Sequence, residues 1–173
     1  MQPLPVRDRA GNALTEFRRV SEEELESLGS RDVPAALVVV EYAGAVLLVF
    51  DAWRAEWELP GGGREPGETT RRTAVRELHE ETGIRGVRLD AVAVAGFDLV
   101  APDRHELLAV YRTRLRVAPR LRANDEILDF RWWPPSNPVD EDMSPLDAEI
   151  ARRTTATSPS SPKNSPASHD SPN

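Results

Sequence analysis

Gly62-Gly63-Arg64-Glu65-Pro66-Gly67-Glu68, a seven-residue spacer, then Arg76-Glu77-Leu78-His79-Glu80-Glu81-Thr82-Gly83-Ile84: this stretch couples a glycine loop to an acidic helix at fixed distance. Glu65 to Glu68 has the composition of a turn, and Thr69 or Thr70 serves as N-cap of the helix that follows. Ala74, Val75 and Leu78 give it an apolar stripe, and Gly83 ends it in the left-handed conformation. Glu77 and Glu81 then lie one turn apart, and Glu77 and Glu80 are i,i+3 neighbours. Each such like-charge pair costs roughly 0.2–0.5 kcal/mol on a solvated helix. All three carboxylates also crowd the C-terminal end, where the helix dipole disfavours negative charge. Arg76 offsets part of this, and a hard divalent cation, Mg2+ or Mn2+, would offset the rest through oxygen ligands. A merely solvated acidic face is the ordinary explanation for paired glutamates. The glycines argue against it, because Gly61, Gly62 and Gly63 permit close backbone approach and Pro60 stiffens the chain before them.

The fixed positions follow the pattern G-x5-E-x7-R-E-U-x-E-E-x-G-U, with U aliphatic. Gly62, Glu68, Arg76, Glu77, Leu78, Glu80, Glu81, Gly83 and Ile84 all match it, and the stretch resembles the Nudix box. Trp57-Glu58-Leu59-Pro60-Gly61 is similar to the strand that leads into that box. The resemblance implies an α+β fold, a Nudix-type α/β/α sandwich with a mixed central sheet. It also implies metal-dependent hydrolysis of the pyrophosphate bond in a nucleoside diphosphate linked to another group. Carried over by position, Glu77, Glu80 and Glu81 would coordinate Mg2+ (or Mn2+) with the Gly61 carbonyl. Arg76 would orient Glu68 or Glu77, with Glu68 behind the ligands. Glu126, in Asn124-Asp125-Glu126, resembles the acidic loop that completes such a site, as a further ligand or as the general base; Glu80 is the alternative base. A possible homodimer belongs to the same expectation. The rival phosphate-loop pattern over Gly62 to Thr69 fails, because Glu68 stands where a lysine must meet phosphate.

The rest of the chain sets limits. At 173 residues it suits one domain with a real core, expected over 1–153, with 1–34 as an N-terminal extension packed on it. The formal charge of −7 argues against a nucleic-acid polymer held on a broad basic surface. There is no cysteine, which excludes disulfides and thiolate metal sites. Met1 to Arg9 shows no apolar signal region, and Ala35 to Phe50 is too interrupted to span a bilayer. The expected setting is cytoplasmic, with no membrane partner. From Thr154 to Asn173 Ser-Pro steps dominate, and 154–173 is expected to be a disordered tail.

Apolar runs at Ala35–Val40 and Ala45–Phe50 predict two buried strands joined at Tyr42-Ala43-Gly44. Further strands are expected at Trp57–Leu59, Val87–Phe97, Leu107–Val117 and Phe130–Trp133, and a hairpin over Val6 to Phe17. Ser21-x-x-Glu24 forms a capping box for a short helix closed by Gly29, and Ser144-Pro145 opens a final helix.

Substrate recognition is less clearly written. Trp53 can stack on a nucleobase, and Arg54 and Arg64 can meet phosphates; surface or core roles compete for all three. Pro102 falls later than the proline that accompanies ADP-ribose specificity in the family. A (d)NTP such as an oxidised purine nucleotide is therefore the expected substrate, with ADP-ribose or a nucleotide sugar as the alternative. A non-catalytic Nudix-like nucleotide- or protein-binding module is the alternative of a different class.

Overall fold

The computed structural model describes residues 1–29 and 32–156. In chain order the elements are β1 (Val6–Arg7), β2 (Ala13–Arg19), α1 (Glu22–Ser27), β3 (Ala35–Tyr42), β4 (Ala45–Asp51), β5 (Glu56–Glu58), β6 (Gly61–Gly63), α2 (Thr70–Thr82), β7 (Asp90–Val100), β8 (Asp103–Arg114), β9 (Ile127–Trp133) and α3 (Pro145–Thr155). All the strands join one sheet in the order β1-β2-β7-β8-β3-β4-β5, with β6 bonded to β3 and β9 to β4. Among the described strand pairs β3 and β8 alone run parallel, so the sheet is mixed.

Strand alternation sorts the core onto two faces. Leu37, Val39, Val46 and Leu48 point to the face covered by α3, with Trp57, Trp133, Leu146 and Ile150. Ala36, Val38, Val40 and Leu47 point to the opposite face, covered by α1 and α2 through Leu25, Ala74 and Leu78. The result is the three-layered α/β/α sandwich expected from the sequence. No helix among the described residues is long and apolar enough to cross a membrane.

Local chemistry accounts for several boundaries. Ser21 and Glu24 form a complete capping box on α1, although the helix ends at Leu28 rather than Gly29. Ala43 and Gly44 both take positive φ (50° and 83°), the two-residue turn that matches the twist of a tight hairpin. Other edges move. β7 begins at Asp90 rather than Val87, and β8 runs from Asp103 to Arg114 rather than from Leu107 to Val117. The three glycines before the acidic helix form a strand, β6, paired antiparallel with Ala35–Leu37. Helix α3 continues through Thr155 with Thr154 buried, two residues past the expected boundary at 153. The Ser-Pro-rich remainder of the expected tail, from 157 on, lies outside the described residues.

Candidate active site

α2 carries most of the site, and its phase explains the chemistry. Thr69 caps it through the Arg72 N–H, and Gly83 closes it with φ 78°. Ala74 and Leu78 face the core as the spacing predicts, but Val75 is 48% exposed. The buried stripe runs instead through Ala74, Leu78 and Glu81, so a carboxylate takes the place of the next apolar residue. Glu81 is only 6% exposed.

What receives Glu81 is the backbone of β6. The bonds Val38 N–H to the Pro60 carbonyl and Arg64 N–H to the Pro34 carbonyl set the alternation of the β3–β6 ladder. They place Gly61, opposite Leu37, in a non-hydrogen-bonded pair, with its N–H and carbonyl turned away from β3. The Gly61 N–H donates to Glu81 Oε2 at 2.9 Å. The Gly61 carbonyl faces the same way, as a cation ligand requires. Gly62 has a separate reason to lack a side chain: a Cβ there would lie 2.5 Å from Glu77 Oε1 and 2.6 Å from its Cδ. The Glu77 carboxylate is laid directly on the Gly62 backbone.

Arg76 ties the loop to the helix. Its Nε and Nη2 donate to the two Glu68 oxygens at 2.9 and 3.0 Å. Its Nη1 donates to Glu77 Oε1 at 2.8 Å and Glu80 Oε2 at 3.1 Å, and Nη2 also reaches the Gly63 carbonyl at 2.8 Å. The fork thus orients both Glu68 and Glu77, and Glu80 as well. These charge-assisted bonds hold the Glu68 carboxyl down to about 2. Glu68 also accepts from the Thr73 hydroxyl at 2.8 Å and the Glu65 N–H at 3.1 Å, the coordination of a positioning group.

Charge in the site is out of balance. Burial pushes the Glu81 carboxyl up to about 8, and the charges of Glu77, Glu58 and Glu126 add to the push against the Gly61 N–H. Burial also raises Glu77, against Arg76, with Glu80 and Glu126 reinforcing the rise. One guanidinium serves Glu68, Glu77 and Glu80 and does not reach Glu81. Among the described residues no three carboxylates already close on one point as a ligand set, and Arg76 holds one oxygen each of Glu77 and Glu80. The donors nevertheless fit a hard divalent cation: all are oxygens, the buried one lacks a cationic partner, and a carbonyl stands beside it.

Glu126 is brought to this cluster by a clamp that the sequence did not reveal. The Asn124 side chain accepts from the Glu126 and Ile127 N–H groups at 2.9 and 2.7 Å. Its amide donates to the Glu80 carbonyl at 2.8 Å, one of the last carbonyls of α2. Glu126 remains exposed, open to solvent and substrate. A second unforeseen neighbour is Glu58. It faces away from the core residue Trp57, and burial, with the charge of Asp147, pushes its carboxyl up against the pull of Arg54. Asp147 accepts from the Leu59 N–H at 2.8 Å. The alternation of Trp57-Glu58-Leu59 could have flagged Glu58, because two apolar neighbours commit it to the opposite face.

The three residues named for substrate take up different positions. Arg64 spends its fork on the Val33 and Glu68 carbonyls, so it braces the loop. Arg54 bonds both Glu58 oxygens at 2.7 and 2.8 Å, beside the carboxylate cluster. Trp53 is 88% exposed on a turn held by Asp51, whose Oδ1 accepts from the Trp53 and Arg54 N–H groups at 2.7 Å each.

Comparisons with known proteins bear on the family and the fold. The NUDIX domain family model matches residues 31–154. A candidate mutator protein, MutT4, of Mycobacterium tuberculosis is 30% identical over 160 residues, which are 82% of this chain and 61% of that protein. A candidate 8-oxo-dGTP diphosphatase 3 of the same species is 37% identical over 87 residues, 43% of this chain and 40% of that one. The chain therefore spans less than two thirds of either relative. The crystal structure of a MutT NUDIX hydrolase from Burkholderia pseudomallei superposes with a TM-score of 0.60 at 21% identity, over 70% of this chain and 95% of that one, a likeness of fold.

Proposed function

Because this chain belongs to the Nudix family, we propose that it is a divalent-metal-dependent pyrophosphohydrolase acting on a nucleoside diphosphate linked to another group. The observation that carries the proposal is Glu81, a buried carboxylate among Glu77, Glu58 and Glu126 whose one hydrogen-bond partner among the described residues is the Gly61 N–H. Such a group is poorly solvated as an anion without a cation beside it. Glu77, Glu80, Glu81 and the Gly61 carbonyl would hold Mg2+ or Mn2+, with Glu126 as a further ligand or as the base. When bound, the metal supplies charge neutralisation at the phosphate oxygens and lowers the pKa of the attacking water.

The chain's own groups would do the rest. Arg76 fixes the carboxylates of Glu68, Glu77 and Glu80, which limits their reorganisation during the reaction. Glu126, exposed on its clamped loop, takes a proton from the water that attacks phosphorus as the phosphoanhydride bridge breaks; Glu80, 57% exposed in its side chain, is the alternative base. The favoured substrate is a (d)NTP such as an oxidised purine nucleotide, in keeping with the diphosphatase named among the relatives. ADP-ribose or a nucleotide sugar is the alternative. A purely binding module has no use for carboxylates that repel phosphate.

The test is a screen of nucleoside triphosphates, ADP-ribose, nucleotide sugars and dinucleotides with and without Mg2+, on the wild type and Glu81→Gln. Turnover that needs metal and falls about 10²-fold or more in the variant supports the proposal. Full turnover in EDTA rejects it.

A further inference from the structure

In a chain whose net charge is −7, arginines gather on one face. A groove of about 700 Å3 runs between the C-terminal end of α2 and the loop that follows β8, and Arg85, Arg120 and Arg122 line it. A second groove of about 360 Å3 shares Val87 and Leu115 with the first, so the two form one trough. Arg116 lines the second part with Arg88, Arg112 and Arg114. Three of these cations are matched: Arg88 pairs with Asp90 at 3.0 Å, and Arg112 and Arg114 both turn to Glu41. Among the described residues Arg85, Arg116, Arg120 and Arg122 have no carboxylate at ion-pair distance. The net charge, which argues against a broad basic surface, averages over this segregation.

We infer that the trough is a second binding site, which holds a single-stranded nucleic acid by its phosphates. Four unmatched cations strung along a trough suit a linear polyanion better than a single anion, and guanidinium forks match phosphate oxygens. Ile84, Val87, Leu115 and Leu121 give an apolar floor for sugars and base faces. No phenylalanine, tyrosine or tryptophan among the described residues lines it, so the trough grips chiefly the backbone, with little reading of sequence. His79 and Gly83, at the C-terminal end of α2, form one wall. A strand in the trough therefore passes the C-terminal end of α2. The preference for a phosphate polymer over an acidic peptide rests on the phosphoanhydride chemistry proposed for that end.

The test is fluorescence anisotropy of a labelled single strand of roughly 15 nucleotides, within the usual reach of one binding groove, titrated with the full chain in EDTA. Saturable binding that weakens with salt is expected. The Arg120→Ala/Arg122→Ala variant should bind about 10-fold more weakly and flatten the log–log salt slope by about 1.4, about 0.7 for each lost phosphate contact. Its melting temperature and mononucleotide turnover should stay at wild-type values. Unchanged binding by the variant overturns the inference. So does displacement of the strand by poly-glutamate at equal charge, or tighter arginine-dependent binding to phosphatidylserine vesicles. Arginine-dependent strand binding without turnover of any nucleotide would uphold the trough and remove the proposed function. Turnover without strand binding would do the reverse.

Discussion

The side-chain amide of Asn124 donates to the main-chain carbonyl of Glu80 at 2.8 Å, while its oxygen accepts from the N–H groups of Glu126 and Ile127. One neutral residue thereby satisfies a helix-terminal carbonyl and fixes the approach of a carboxylate from a different element. Asn124→Ala should lower turnover between about 10-fold and 10²-fold, the scale of a small misplacement at a reacting centre. The melting temperature should change little, because the loop is exposed. Steady-state kinetics beside a thermal melt checks this, and wild-type kcat in the variant would remove the positioning role.

Stability of the metal-free protein should depend on pH in a definite direction. The Glu81 carboxyl lies at about 8 in the fold against an ordinary 4.5, so folding favours its protonated form. That stability is complete below about pH 4.5 and is lost as pH rises through about 8. Melts in EDTA should therefore move to lower temperature between about pH 5 and about pH 9. Glu81→Gln should reduce the slope without abolishing it, since Glu77 and Glu58 are shifted the same way. Added Mg2+ should recover the loss at the alkaline end. A melting temperature that climbs across this window contradicts the account.

Gly62 and Gly63 make a matched pair. A Cβ on Gly62 meets the Glu77 carboxylate at 2.5 Å, whereas one on Gly63 meets nothing within 4 Å. Gly62→Ala should displace Glu77 and weaken Mn2+ binding by about 10- to 100-fold, the range for a group that orients a ligand. Gly63→Ala should bind like the wild type. Calorimetric titration with Mn2+ decides it, and equal affinities in the two variants would show that Glu77 is not held by the glycine.

Much of the scaffold was legible because its signals are local. The Ser21–Glu24 box, Thr69 before the acidic helix, Gly83 after it and the Ala43-Gly44 turn each report on a few neighbouring residues. The box itself carried Glu68, Arg76, Glu77, Glu80 and Glu81 to one place. What escaped depended on distant partners. Gly61–Gly63 have no side chains to show a strand period, so only their pairing with Ala35–Leu37 reveals β6. Val75 sits beside Ala74 in sequence, but the phase of α2 is set by the sheet beneath it and gives the buried stripe to Glu81. Arg64 carries the chemistry of a phosphate ligand, yet the Glu68 carbonyl in its own loop and the distant Val33 carbonyl before β3 consume its fork. Asn124 reads as one member of a polar triplet, and its role exists only once α2 ends nearby.

Strand β3 divides one of its edges between two partners: Ala35–Leu37 pair with β6, and Glu41–Tyr42 with β4. Its other edge is bonded, from Ala35 to Glu41, to β8, which leads into the loop bearing Asn124 and Glu126. For anyone transplanting this chemistry into a new scaffold, the portable module is consequently larger than Gly62–Ile84. A graft of that stretch alone would arrive without the strand that turns the Gly61 amide toward Glu81. It would also lack the strand that delivers the opposing loop. Both belong on the same cassette, with β3 as its spine.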